Sequence, residues 1–186
     1  MRWIVLGPPG SGKGTQAKRL AAARKASHLS TGDMLRAEVA RGTAIGREAK
    51  AFMERGELVP DDLIIRMIRS RLQGGNGKGF ILDGFPRTRI QAEELDQMLE
   101  EIRVRIDRVV LVRVGDEEIK KRLASRAVLE GRPDDTEDVI LRRLDIYREQ
   151  TEPVVAYYRD DGRLAEVEGE QTIDQVYRDL EKLATA

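Results

Sequence analysis

Four short apolar runs punctuate the chain: Trp3–Leu6, Phe80–Leu82, Val109–Val114 and Leu164–Val167. Each has the length of a strand, and the segments between them are long enough for helices. In those segments apolar residues recur at spacings of three and four. The pattern predicts helices over Thr15–Ala23, Asp33–Val39, Asp62–Leu72, Ile90–Ile102, Glu117–Leu129, Glu137–Tyr158 and Ile173–Leu183. Strands alternating with helices imply a parallel α/β sheet covered by those helices. The glycine-rich stretch Gly74–Gly79 precedes a strand, whereas a phosphate cradle follows a strand and opens a helix. It reads as a flexible connector.

Composition narrows the field. At 186 residues the chain supports one core, with room for a small mobile appendage but not for two full domains. Its 33 basic and 33 acidic side chains cancel, which argues against a dedicated nucleic-acid binder and makes any anion site local. The absence of cysteine and the single histidine exclude disulfides, thiolate zinc sites and iron–sulfur clusters. Magnesium held by carboxylate or phosphate stays open. The run Trp3–Leu6 stops at Gly7, too short for a secretion signal or a membrane span, so the expected location is the cytoplasm.

The segment Gly7-Pro8-Pro9-Gly10-Ser11-Gly12-Lys13-Gly14-Thr15 follows the first strand and opens the first helix, the context that a phosphate-binding loop requires. Glycines let the backbone amides from Gly10 to Thr15 converge on phosphate oxygens, and Lys13 adds a charge able to follow a migrating group. Gly14 stands between Lys13 and Thr15, where the general motif has Ser or Thr directly after Lys. Magnesium is therefore expected to lack the usual direct hydroxyl ligand.

Two further segments carry candidate chemistry. In Ser30-Thr31-Gly32-Asp33-Met34-Leu35-Arg36, Ser30 and Asp33 fit a capping box, but Arg36 stands where the helix dipole prefers an acid. A bound anion or a surface ion pair would each account for it. Asp83-Gly84-Phe85-Pro86-Arg87-Thr88 follows the strand Phe80–Leu82, so Arg87 should emerge at the same sheet edge as Lys13. Asp83 could hold magnesium through water, or it could cap or pair locally. His28, just before Ser30, is expected to be structural.

Arg122 and Arg126 lie four apart and present one cationic helix face. Arg143 falls by angle within the apolar stripe of Val139, Ile140, Leu144 and Tyr147. A buried arginine is costly alone, so Arg143 snorkels, meets a carboxylate or faces a bound phosphate.

The form Gly-x-Pro-Gly-x-Gly-Lys-Gly-Thr-Gln, from Gly7 to Gln16, resembles the adenylate kinase and UMP/CMP kinase group of nucleoside monophosphate kinases. By its motifs the resemblance runs from Gly7 to Tyr158. It implies a P-loop NTPase fold with a five-stranded parallel sheet in the order 2-3-1-4-5, an acceptor-binding helical insert at 31–60 and a short lid at 123–135. The implied reaction is reversible phosphoryl transfer, Mg·ATP and AMP giving two ADP, by a monomer with no nucleic-acid or membrane partner. Arg36 and Arg87 would grip the AMP phosphate, while Thr31 and Gln91 would address the adenine edge. Glu57, Leu58 and Val59 match the loop whose backbone touches the acceptor base, and Gly84 and Phe85 belong to the same AMP-site segment. Thr31 and Thr88 stand where UMP/CMP kinases typically carry Ala and Asn, which favours AMP.

For ATP, the resemblance sets Arg122 against the adenine and gathers Arg126, Arg132 and Arg143 around the transferring phosphoryl. Asp134 and Asp135 would orient those arginines. The tail Val167–Ile173, including Gln171, would touch the ATP adenine through its backbone. Only five residues separate Arg126 from Arg132, so the lid should be short and free of zinc. The chemistry agrees, because an AMP phosphate is already anionic and needs no base to activate it. Two rival readings are a phosphate-loop kinase acting on a hydroxyl, with Asp83 as base, and a GTP switch. The second would need an Asn-Lys-x-Asp guanine reader, which the sequence lacks.

Overall fold

In the computed structural model, five parallel strands form one sheet in the order β2-β3-β1-β4-β5. They are β1 (Arg2–Leu6), β2 (Ser27–Ser30), β3 (Phe80–Asp83), β4 (Arg108–Arg113) and β5 (Leu164–Glu168). The order is the expected one. The structure describes residues 1–74, 79–130 and 136–185, without the side chains of 127–130. Most of the glycine-rich connector and the lid residues 131–135, with Arg132, Asp134 and Asp135, lie outside the described residues.

Alternation along each strand sends side chains to two cores, one on either face of the sheet. From β1, Ile4 and Leu6 enter one core while Trp3 and Val5 enter the other. Val109 and Leu111 of β4 join the first, and Val110 and Val112 the second. Helices α4 (Asp61–Gln73), α5 (Arg89–Glu101) and α8 (Glu152–Asp160) cover the first core through Leu63, Ile68, Leu95 and Tyr158. On the other face, α1 (Lys13–Ala23) and α9 (Ile173–Thr185) contribute Leu20, Tyr177 and Leu180. A smaller cluster of Ile119, Leu123, Ile140 and Leu144 joins α6 (Asp116–Glu130) to α7 (Glu137–Ile146). Among the described residues no helix is long and apolar enough to cross a membrane.

Two elements are absent from the periodicity reading. Strand β2 has the pattern Ser-His-Leu-Ser at a sheet edge, paired only with β3. Helix α3 (Ala44–Glu54) packs against α2 (Thr31–Ala40), burying Gly46 and Ala49 and laying Ile45, Phe52 and Met53 against the first core. A third difference is a break. The single helix expected over Glu137–Tyr158 ends at Ile146, and Tyr147–Thr151 forms a π turn before α8 begins. Pro153 has no amide to offer the carbonyl of Glu149 and its ring crowds that carbonyl, so a wider turn just upstream relieves the conflict.

Because all five strands run the same way, their carboxyl ends meet at one edge of the sheet, where ligands of such folds bind. The loops after β1 and β3 flank one another there, since those strands are paired.

Candidate active site

The loop after β1 delivers Lys13 as the first residue of α1, a helix with no acidic residue in its first turn and no side-chain cap. A helix N-terminus without a competing acid or side-chain cap suits an anion. The Lys13 ammonium donates to the carbonyl of Pro8 at 3.1 Å. Burial lowers the Lys13 pKa to about 8; Asp83 opposes that shift, while Arg87, Arg126 and Arg143 add to it. Glycine at position 14 has a local reason, because a Cβ there would lie 3.1 Å from Asp83 Oδ2. The chain thus gives up a hydroxyl beside Lys13 and brings a carboxylate close to the helix instead.

Asp83 ends β3 and is buried. Burial pushes its pKa up, but the hydrogen bond from His28 and the charges of Lys13 and Arg87 outweigh that and hold it below the usual carboxylate range. His28 Nε2 lies 3.3 Å from Asp83 Oδ2, and an ionised carboxylate only accepts, so the ring donates. His28 also lines the cleft, giving the expected structural residue a place beside the site. Among the described residues no group of three or more His, Asp or Glu side chains could hold a metal by itself.

The loop after β3 builds the second half. Gly84 has φ +74°, and a Cβ there would approach Arg87 and Thr31 to 2.9 and 3.0 Å. The Gly84 carbonyl accepts from Arg87 Nε at 2.9 Å and from the Thr31 hydroxyl at 2.8 Å. Ser30 caps α2 by accepting from the Asp33 amide at 3.3 Å, as the capping pattern predicts. Arg36 forms an ion pair with Asp33 and also lines the cleft, so both readings of this cation have a basis. Gln91, only 2% exposed, accepts from the Arg87 amide and donates to Asp61, each at 2.7 Å.

The opposite wall comes from α6 and α7. Arg122 donates to Glu118 at 2.7 Å, and Arg122, Arg126 and Arg143 all line the cleft. Arg143 is half-buried between Ile140 and Leu144, as its angle predicted, and faces the cleft from there.

The resulting cleft has a volume of about 960 Å³, near the upper end for ligand sites. Its walls bring together Gly10, Gly12, Lys13, Gly14 and Thr15 with Thr31, Arg36, Glu57, Leu58, Val59, Asp83, Gly84, Arg87, Gln91, Arg122, Arg126 and Arg143. Three expected residues stay off the walls. Ser11 is buried, with its amide donating to Pro8 at 3.2 Å; Phe85 lies fully in the core; Gln171 turns its amide to Glu168 and Asp179. From the same tail, Ile173 does reach the cleft, and its carbonyl accepts from Gln16 at 2.8 Å. The sequence reading missed Asp61 and Thr151. Asp61 reads simply as a first-turn acid of α4, and Thr151 is disguised by the unforeseen π turn.

Comparison with known proteins agrees with this arrangement. A family model for adenylate kinase matches residues 5–163. An adenylate kinase of Thermus thermophilus is 54% identical over 174 residues, covering 94% of this chain and 91% of its own. Those of Parasynechococcus marenigrum (strain WH8102) and Prochlorococcus marinus (strain MIT 9313) are 48% and 49% identical, each spanning 97% or more of both chains. With the loops after β1 and β3 on one sheet edge and relatives alike along nearly its whole length, the chain belongs to the adenylate kinase family.

Proposed function

We propose that the cleft holds ATP over the Gly7–Thr15 loop and AMP against the carboxyl end of β3, with the phosphoryl group passing between them beside Lys13. The reaction is reversible transfer from Mg·ATP to AMP, giving two ADP. The observation that carries this division of the cleft is the convergence of cations. Arg87, Arg126 and Arg143, from three different elements, each act electrostatically on the half-buried Lys13. Such crowding of like charges is unfavourable by itself and is relieved when polyanions enter.

Transfer to a phosphate needs no proton acceptor, and none is poised here. Asp83 is held ionised below the ordinary carboxylate range, which disfavours it as a base and weakens the hydroxyl-kinase reading. As a buried carboxylate beside Gly14, Asp83 suits magnesium that keeps several waters and takes its other ligands from phosphates. When bound, the ion would neutralise phosphate charge.

The chain's own residues position and neutralise. Arg36 and Arg87 fork the AMP phosphate, and Gly84 fixes the aim of Arg87. Thr31, Gln91 and the Glu57–Val59 loop receive the adenine of AMP, while Arg122 and the tail at Ile173 receive that of ATP. Arg126, Arg132 and Arg143 gather at the transferring group. The insert 31–60 and the lid 123–135 close over both nucleotides and exclude water. One chain supplies both halves of the cleft, which supports action as a monomer, with the cytoplasm as its setting.

A coupled assay of ADP formation with ATP and each of AMP, UMP, CMP and GMP tests this. AMP should be the preferred acceptor by kcat/KM. Preference for a pyrimidine monophosphate would overturn the assignment of Thr31 and Gln91.

A further inference from the structure

We infer that Asp61 sets the base preference of the acceptor site by locking the orientation of the Gln91 amide. The inference rests on the reading that Gln91 faces the acceptor base. Gln91 lies in the first turn of α5 and lines the cleft while remaining almost wholly buried. Its Oε1 accepts from the backbone amide of Arg87 at 2.7 Å, and its Nε2 donates to Asp61 Oδ1 at 2.7 Å. A backbone amide can only donate and a carboxylate can only accept, so the two partners dictate which end of the Gln91 amide is oxygen. Reversing it would set oxygen against carboxylate and N–H against N–H.

Asp61 is itself held in place. Its Oδ2 accepts from the Thr88 hydroxyl at 3.0 Å, and Thr88 caps α5 by accepting from the Gln91 backbone N–H at 3.2 Å. As the first residue of α4, Asp61 also sits where the helix dipole favours a carboxylate. The charge is therefore anchored from two sides before it reaches Gln91.

With one N–H and one lone pair already used, the Gln91 amide has one of each left, in a fixed order. The pairing edge of adenine presents the N6 donor beside the N1 acceptor. Guanine and hypoxanthine present the O6 acceptor beside the N1 donor, the reverse order. A locked amide can match one order only, and a freed amide can match either. Thr31 points the same way: its hydroxyl hydrogen is spent on Gly84 at 2.8 Å, so its oxygen faces a ligand as an acceptor suited to an amino group. Asp61 is thus a specificity-determining residue that acts through Gln91.

The test uses the full chain with Asp61→Ala, Asp61→Asn and Gln91→Ala. We would measure kcat/KM for AMP, GMP and inosine monophosphate at saturating ATP, together with the KM for ATP. The inosine nucleotide carries the reversed hydrogen-bond order without the 2-amino group of guanine, so it separates pairing from bulk. In Asp61→Ala the ratio of AMP to inosine monophosphate should fall about tenfold or more, the scale set by one hydrogen bond to a charged group. Asp61→Asn, which can present either end of its own amide, should give a smaller fall, and the KM for ATP should not move. A merely structural Asp61 would depress both acceptors alike and leave the ratio unchanged. That result, with Gln91→Ala still altering the ratio, overturns the role of Asp61 and leaves Gln91 as the base reader. A ratio unmoved even by Gln91→Ala overturns both. If Asp61→Ala fails to melt as a folded protein, Asp61→Asn decides, because it keeps the volume of the side chain.

Discussion

The Thr151 hydroxyl donates to the backbone carbonyl of Arg87 at 3.0 Å, across 64 positions of sequence. Gln91 holds the Arg87 amide, and the Gly84 carbonyl holds its Nε. Arg87 is thus pinned at three points, one of them reached from the π turn. Thr151→Val keeps the shape of the side chain and removes its donor. Loss of one buried hydrogen bond is worth about 1 kcal/mol, so kcat should fall roughly fivefold to tenfold. The KM for AMP should rise while that for ATP stays put. Unchanged steady-state kinetics would show that Arg87 holds its aim without this bond.

Lys13 should make ATP binding depend on pH in a definite direction. Its pKa in the ligand-free protein is about 8, below the ordinary 10.5, and phosphate binding needs the charged form. Below pH 8 the charge is already present. Above it, binding must take up a proton, so affinity should fall as pH rises, by up to about tenfold per unit. Calorimetry in buffers of different ionisation enthalpy should detect that proton uptake, and Lys13→Met should abolish it.

The same shift bears on stability. Between the folded value near 8 and the unfolded value of 10.5, the unfolded chain binds more protons, so ligand-free stability should rise with pH in that window. Lys13→Met should therefore abolish turnover without lowering the melting temperature. A variant that keeps turnover would overturn the role given to the phosphate loop.

What was legible in the sequence divides along physical lines. Strands β1 and β4 bury side chains on both faces and so appear as continuous apolar runs. Edge strand β2, with Leu29 as its only aliphatic residue, leaves no such run, and the fifth strand had to come from resemblance. The phosphate loop was readable because its chemistry is local: strand, glycines, lysine and helix follow one another. Asp61 and Thr151 act across 30 and 64 positions of sequence, through contacts that only the folded chain creates. The π turn is a similar case, since Pro153 signals a disturbance in the helix but not its kind.

Asp83→Asn separates two roles. A general base replaced by an amide loses its proton acceptor, and no added metal restores it. A carboxylate that holds magnesium through water loses affinity for the ion, so activity should fall at low magnesium and recover in part as magnesium is raised. Partial recovery is the expected result. Equal loss at all magnesium concentrations would favour transfer to a hydroxyl.

Arg143 offers the sharpest contrast between a packing role and a chemical one. Its stem lies on the apolar stripe of α7 and packs over Gly56, where a Cβ would come within 3.3 Å of Arg143 Cγ. Its head lines the cleft and acts electrostatically on both Lys13 and Arg87. Lysine in its place keeps the charge but loses the planar fork that can bridge donor and acceptor oxygens. If the contact strengthens in the transition state, Arg143→Lys should lower kcat by about 10²- to 10³-fold with little change in ATP affinity. Arg143→Met should be at least as inactive. A snorkelling arginine would behave otherwise: the lysine variant would turn over nearly as fast as the parent, and the methionine variant would melt no lower than it. Steady-state kinetics and melting curves on the two variants distinguish these outcomes, and near-normal turnover in both would remove Arg143 from the site.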